Sequence, residues 1–188
     1  MFLNIPNILT FSRVVLIPII ILLSFSSTPI SKYAILIIFI YCGISDFFDG
    51  YIARILDKTT PIGQLMDPIA DKLLTTSVLL ILINMKIITG LFFIAALIII
   101  LRELFISGLR EFLSGLGEKL PVSNMGKLKT AVQFFSLGFL LFAYASNLKI
   151  FFQFGNFLLF LAAVLTIFSG LAYFKEGLII IKRIGLSK

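Results

Sequence analysis

Four aspartates in the first half of the chain stand in two closely spaced pairs. Asp46 and Asp49 are three residues apart, and Asp67 and Asp71 are four apart. On an α-helix, either spacing places both side chains of a pair on the same face. Carboxylates that converge repel one another, and burying an unpaired one is costly. The pattern therefore indicates a site that needs a positive charge to neutralise it.

The composition favours divalent cations as that charge. The chain has no His, and its single Cys is Cys42, which excludes His-ligated zinc, proximal-His haem, thiolate clusters and His-dependent nucleophilic catalysis. Oxygen ligands remain, and they suit Mg²⁺, Mn²⁺ or Ca²⁺. A pair of Mg²⁺ or Mn²⁺ ions suits displacement at phosphorus, because it activates the attacking oxygen and shields the leaving one. The acids thus predict a two-metal site for phosphorus chemistry.

Small residues and an arginine follow the first pair of aspartates. Gly50 comes directly after Asp49, and Ala53 and Arg54 come one turn later. Minimal side chains let a phosphorylated ligand approach the helix backbone, and an arginine binds phosphate through its planar fork. The structural alternative is that the small residues allow close helix packing, while the acids pair with nearby basic residues at the membrane interface.

The elements that must position these residues are strongly apolar. Of the 188 residues, 60% are hydrophobic and 13% are charged, and the mean hydropathy is +1.13. Soluble domains average about 45–50% apolar and about 25% charged residues. Six hydrophobic segments can be recognised, roughly Ile8–Phe25, Tyr33–Phe48, Asp67–Met85, Ile87–Leu109, Thr130–Ser146 and Phe151–Ile181. Because lipid cannot satisfy backbone amides, the sequence predicts an all-α bundle of six transmembrane helices, forming one integral-membrane domain over residues 1–188.

The distribution of basic residues predicts the orientation of this bundle. With six spans, thirteen of the 16 Lys and Arg residues fall on the same side of the membrane as the termini. The other side carries Lys32, Lys86 and Lys149. By the positive-inside rule the other side is cytoplasmic, which places both termini and all the acids there. The pI near 9.7 reflects this topology and attraction to anionic lipid. Without a soluble basic domain, nucleic-acid binding is not expected.

The sequence around the aspartates resembles the signature of the CDP-alcohol phosphotransferase family, D-x-x-D-G-x-x-A-R-x8-G-x-x-x-D-x-x-x-D. Its fixed positions are all present, as Asp46, Asp49, Gly50, Ala53, Arg54, Gly63, Asp67 and Asp71. The resemblance implies a six-helix protein, often a homodimer, in which an alcohol displaces CMP from a CDP-linked lipid.

The same resemblance implies roles for the residues of the signature. The four aspartates would ligate Mg²⁺ or Mn²⁺, and Asp71 would also be the base that takes the proton of the alcohol. Binding of CDP-diacylglycerol would fall to Asp46, Gly50, Ala53, Arg54 and Gly63. Cytidine enters through the resemblance, since the residue types by themselves indicate acids, metal and phosphate.

Three further runs are similar to the bacterial branch of this family that forms phosphatidylglycerophosphate. They are Asn4–Arg13, Arg102–Glu111 and Gly126–Thr130. This similarity implies sn-glycerol 3-phosphate as the acceptor, and a site at the cytoplasmic face of the bacterial inner membrane. Phosphatidylglycerol, inositol phosphate and serine remain alternative acceptors. A divalent-cation transporter is a remote alternative of a different class.

Basic residues in these runs are the candidates for binding the acceptor. The similarity implies that the phosphate lies on Arg110 and on one or both of Lys127 and Lys129, with Thr10 at the border of the active site. A phosphorylated alcohol needs such a group of cations, whereas serine does not. The alternative is a cytoplasmic loop that is basic because of topology.

Overall fold

The computed structural model describes residues 5–56, 61–118, 120–121 and 123–186, with side chains described except at 5–7, 47, 49–56, 61–62, 64 and 186. These ranges contain six α-helices and no strand. The helices are α1 (Ile5–Ser24), α2 (Pro29–Leu56), α3 (Pro61–Asn84), α4 (Leu91–Gly115), α5 (Asn124–Ser146) and α6 (Lys149–Leu186). The predicted all-α class is confirmed.

Four of these helices are long and apolar enough to cross a membrane. The candidate spans are Pro29–Asp46, Leu91–Gly115, Asn124–Ser146 and Lys149–Gly185. Helix α1 has a shorter apolar stretch, Ile8–Ser24, and α3 carries Asp67, Asp71 and Lys72. The chain is therefore a multi-pass membrane protein, while the predicted count of six spans stays a prediction.

Helices α2 and α3 extend past the hydrophobic segments that were used to locate them. Helix α2 continues beyond Phe48 to Leu56, and α3 begins at Pro61 rather than at Asp67. Hydropathy marks where a helix enters hydrocarbon, but backbone hydrogen bonds continue the helix through polar residues. The aspartates consequently lie inside these two helices and not at their ends.

Helical structure also continues into residues 110–129, which the sequence predicts as a polar loop between two hydrophobic segments. Helix α4 starts later than predicted, at Leu91, and continues to Gly115, and α5 begins at Asn124. The start of α5 is fixed by a cap, because the Ser123 hydroxyl accepts the N–H of Gly126 at 3.1 Å. Most of the predicted loop is therefore helical, including all three basic residues assigned to the acceptor.

The chain divides into two compact units. The first unit comprises Met1–Ile87 and Leu137–Gly155, and the second comprises Ile88–Ser136 and Asn156–Lys188. In the first unit, α1 packs against both α2 and α3. In the second unit, a cluster of buried side chains forms a core, with Ile106, Leu113, Leu120 and Tyr173 as its members.

Candidate active site

Carboxylates from α2 and α3 meet at one arginine of α1. Nη1 of Arg13 donates to Oδ1 of Asp46, and Nη2 of Arg13 lies 3.3 Å from Oδ1 of Asp67. Because a guanidinium is planar and its donors form a rigid fork, Arg13 fixes the two carboxylates close together. The structure thus brings together one predicted metal ligand from each pair.

The arginine and the carboxylates differ sharply in burial. The side chain of Arg13 is 1% exposed, whereas those of Asp46 and Asp67 are 48% and 45% exposed. A charge buried as deeply as that of Arg13 requires compensation, and the two aspartates supply it. Their accessible surface leaves the carboxylates open to a further charged partner.

Thr10 contacts the same group of residues. Its hydroxyl donates to Oδ1 of Asp67 at 2.6 Å, and the residue is 1% exposed. Thr10 and Arg13 are three residues apart on α1, which places them on one face of the helix. We predict Thr10 at the acceptor from sequence, and the structure places its hydroxyl on an aspartate of the signature.

The other residues of the signature are described less completely. Asp71 follows Asp67 by one turn of α3 and is half-buried, and its carbonyl oxygen accepts the hydroxyl of Thr75 at 3.0 Å. Gly63 is buried near the start of α3. Four predicted site residues lie on the helical backbone of α2, with side chains outside the described part, namely Asp49, Gly50, Ala53 and Arg54.

The chemistry of these donors fits a hard divalent cation. Asp46 and Asp67 offer carboxylate oxygens at one accessible place, and Mg²⁺ and Mn²⁺ prefer oxygen ligands. Among the side chains that are described, no group of three or more acidic, thiol or imidazole residues is arranged to hold a metal. Arg13 joins two of the four aspartates of the signature.

Arg13 is the residue of this site that is not identified from the sequence. In the sequence Arg13 ends the run Asn4–Arg13 and is one of the basic residues on the predicted cytoplasmic side, but it lies outside the aspartate signature and no role is assigned to it. One signal does point to it, because an ionisable residue inside an apolar segment is functional by default. Arg13 lies within the first hydrophobic segment, Ile8–Phe25.

The second unit contains a separate cluster of charged side chains. Oε1 of Glu103 accepts hydrogen bonds from Nη1 of Arg102, at 3.0 Å, and from Nζ of Lys129. Nη2 of Arg102 donates to the hydroxyl of Ser169 at 3.2 Å. Lys129 is 4% exposed and Glu103 is 16% exposed. Lys129, which we predict at the acceptor site, is therefore part of a buried ion pair.

Tyr173 joins a second predicted acceptor residue to the start of α5. The guanidinium of Arg110 lies 5.1 Å from the centre of the Tyr173 ring, and that of Arg102 lies 5.3 Å from it, which are cation–π distances. The Tyr173 hydroxyl accepts the N–H of Ser123 at 2.7 Å. A Cβ at Gly126 would lie 2.9 Å from this hydroxyl oxygen, so any larger residue there would require a shift of the Tyr173 side chain or of α5.

Among the described side chains of this cluster, positive charges outnumber negative ones. Arg102, Arg110 and Lys129 carry three positive charges against the one negative charge of Glu103. Within the described ranges, no acceptor reaches the buried Nε of Arg110. Lys127, the remaining predicted residue, is exposed. These side chains can compensate an anion such as a phosphate.

Comparisons with known proteins agree with the signature. A family model described as CDP-alcohol phosphatidyltransferase matches residues 3–168. A CDP-diacylglycerol–glycerol-3-phosphate 3-phosphatidyltransferase of Rickettsia bellii is 40% identical, over 92% of this chain and 94% of its own length. Proteins of the same name from Escherichia coli and Bacillus subtilis are 37% and 33% identical, over 93% of this chain and 94% and 95% of their own lengths. The resemblance to this family is confirmed.

Glu103→Gln should destabilise the protein, because Arg102 and Lys129 would lose the anion that both contact. Breaking a buried ion pair costs about 3–5 kcal/mol, so we expect a loss near the lower end of that range. Chemical denaturation in detergent micelles measures the change. The matched control is Glu111→Gln, at an exposed position of α4, which should change the free energy of unfolding by less than about 0.5 kcal/mol. Equal effects of the two substitutions would contradict the assignment.

Proposed function

Because the chain belongs to the CDP-alcohol phosphatidyltransferase family, we propose that it transfers the phosphatidyl group of CDP-diacylglycerol to sn-glycerol 3-phosphate. The products are phosphatidylglycerophosphate and CMP. The observation that carries the proposal is the identity of 33–40% to relatives named for this activity, over 92–93% of the chain. The protein is thus a transferase of phosphatidylglycerol biosynthesis.

We place the reaction at the cytoplasmic face of the bacterial inner membrane. In this proposal the six helices all span the membrane, both termini are cytoplasmic, and residues 1–188 act as a single domain. The excess of Lys and Arg on one side of the predicted topology supports the orientation. The family model continues through both compact units, which supports a single domain. A homodimer is proposed from the family resemblance.

Members of this family generally use divalent metal ions. We propose that Asp46, Asp49, Asp67 and Asp71 hold two ions, Mg²⁺ or Mn²⁺. Such ions, when bound, neutralise a diphosphate and stabilise the charge that develops on the attacking and leaving oxygens. The approach of Asp46 and Asp67 at Arg13 supports this ligand set.

The remaining residues of the signature are proposed to bind the nucleotide lipid. Arg54 would bind the diphosphate through its planar fork. Gly50, Ala53 and Gly63 would let the ligand approach the helix backbone, because they add little or no side chain. Asp46 completes this group in the proposal. The acyl chains of CDP-diacylglycerol remain in the bilayer.

The transfer itself is an exchange of one phosphorus–oxygen bond for another. Asp71 accepts the proton of the 1-hydroxyl of sn-glycerol 3-phosphate, and that oxygen attacks the lipid-side phosphorus of CDP-diacylglycerol. The new bond forms as the bond to the CMP phosphate breaks, and CMP leaves with the electron pair. Catalysis is then mainly positioning and neutralisation of charge.

Acceptor binding is assigned to the basic residues of the second unit. Arg110, Lys127 and Lys129 would hold the phosphate of sn-glycerol 3-phosphate, which carries close to two negative charges at pH 7. The excess positive charge around Glu103 supports this role. Thr10 is also proposed to bind the acceptor, at the border of the active site, and its hydroxyl bond to Asp67 supports this place.

Asp71→Asn should abolish turnover and leave the protein folded, because an amide cannot accept the proton of the alcohol. Loss of a general base costs about 10²–10⁴-fold in rate. CMP release from CDP-diacylglycerol measures turnover, and circular dichroism with thermal melting reports the fold. Glu111→Gln is the matched control and should keep full activity. A folded Asp71→Asn variant with the wild-type rate would rule out the assigned base.

The acceptor is tested by measuring CMP release from CDP-diacylglycerol with a panel of alcohols, with and without chelator. We expect sn-glycerol 3-phosphate to support release, and phosphatidylglycerol, inositol phosphate and serine to support little. Chelation should stop the reaction. Release with another member of the panel but not with sn-glycerol 3-phosphate would contradict the proposed acceptor.

The same assay with Arg110→Ala tests where the acceptor phosphate binds. Loss of a charge-assisted contact costs about 1.5–3 kcal/mol, so the KM for sn-glycerol 3-phosphate should rise by at least about tenfold. The KM for CDP-diacylglycerol is the internal control and should stay the same. A rise in both values, or in neither, would count against a specific role of Arg110.

A further inference from the structure

We infer that Arg13 is a positioning residue of the metal site. It contacts Asp46 and Asp67 from the protein interior and orients their carboxylates toward bound cations. The inference rests on the metal site proposed above and adds to it a residue outside the aspartate signature. Its basis is the contact geometry of the first unit and the difference in burial between the arginine and the acids.

The contacts of Arg13 restrict both carboxylates at once. Nη1 donates to Asp46 on α2, and Nη2 reaches Asp67 on α3. Helix α1 packs against both of these helices. The guanidinium therefore restricts the positions of both carboxylates relative to α1. Residues behind metal ligands commonly orient them in this way, and such residues strongly affect metal affinity.

Burial distinguishes this role from that of a cation that merely takes the place of a metal. A side-chain cation that occupied the metal position would lie on the solvent-accessible side of the carboxylates, because metal ions bind from that side. Arg13 is instead 1% exposed, while the acids keep nearly half of their surface accessible. Arg13 therefore lies on the protein side of the two carboxylates, and bound cations do not need to displace it.

Thr10 supports the same interpretation from one turn away. Its buried hydroxyl donates to Asp67 at 2.6 Å, so two side chains of one α1 face reach the same carboxylate. A hydroxyl adds direction without charge, which suits orientation of a ligand more than neutralisation. This face of α1 is thus built to set the position of acids on neighbouring helices.

The test is a titration of Mn²⁺ into the purified full-length protein in detergent, followed by the electron paramagnetic resonance signal of free Mn²⁺. Removal of a residue behind a metal ligand typically weakens affinity 10- to 100-fold, so Arg13→Gln should raise the Kd for Mn²⁺ by at least about tenfold. Arg13→Lys should raise it by about threefold or more, because an ammonium is a single point charge and lacks the fork.

A matched control replaces an arginine of the second unit. Arg183 on α6 is 68% exposed and donates to Glu118 at 2.7 Å, so Arg183→Gln removes one positive charge and leaves Arg13, Asp46 and Asp67 unchanged. Its Kd for Mn²⁺ should stay within about twofold of the wild-type value. Circular dichroism confirms that each variant is folded, and Arg13→Lys carries the test if Arg13→Gln does not fold.

Several outcomes would overturn the inference. A Kd for Mn²⁺ that is unchanged or lower in the Arg13 variants would show that Arg13 does not position the ligands. Wild-type affinity in Arg13→Lys, with weak binding in Arg13→Gln, would replace the bridging role with a general effect of charge. Absence of Mn²⁺ binding in the wild type would remove the metal site and this inference together.

Failure of the proposed acceptor is distinguishable from these results. A wild-type protein that binds Mn²⁺ but releases no CMP with sn-glycerol 3-phosphate contradicts the proposed function. The Kd values of the Arg13 variants then still decide the role of Arg13, because Mn²⁺ binding requires no acceptor.

Discussion

A buried guanidinium that needs two carboxylates is the interaction on which the first unit depends. Placing the charge of Arg13 inside a membrane protein would cost several kcal/mol without compensation. Asp46 and Asp67 provide that compensation from two different helices. The pairing therefore joins α1 to α2 and to α3, and it leaves the two acids 48% and 45% exposed. One contact thus links the stability of the unit to its proposed chemistry.

In the second unit, too, buried charges of opposite sign compensate one another, but here one acid contacts two basic side chains. Glu103 neutralises part of the charge of Arg102 and Lys129, and Tyr173 receives the guanidiniums of Arg102 and Arg110 on its ring. Among the described side chains of this cluster positive charges outnumber negative ones, whereas the first unit carries the aspartates of the signature.

Much of the proposed site follows from local sequence. The spacing of Asp46, Asp49, Asp67 and Asp71 predicts shared helix faces, because helical periodicity is a local property. The ends of the helices cannot be predicted from hydropathy, because hydropathy falls at the first charged residues whereas the backbone of α2 remains helical to Leu56. For this reason Arg110 falls in a predicted loop, although it lies on α4.

Contacts between helices are the part that the sequence does not reveal. Arg13 and Asp46 are 33 residues apart, and Lys129 and Glu103 are 26 apart, so no local pattern connects them. The contacts of Tyr173 are harder still to predict from the sequence, because a single aromatic residue in an apolar segment is common. Its role becomes visible only with the N–H of Ser123 and the guanidinium of Arg110 beside it.

The central claim is that aspartates of α2 and α3 share bound cations in front of Arg13. A crystal structure of the protein grown with Mn²⁺ and recorded at the manganese absorption edge tests it most directly. The account predicts anomalous density within ligand distance of the carboxylates of Asp46, Asp49, Asp67 and Asp71, with the Arg13 guanidinium still joined to Asp46 and Asp67. Carboxylates that point apart, or manganese bound only elsewhere, would contradict it.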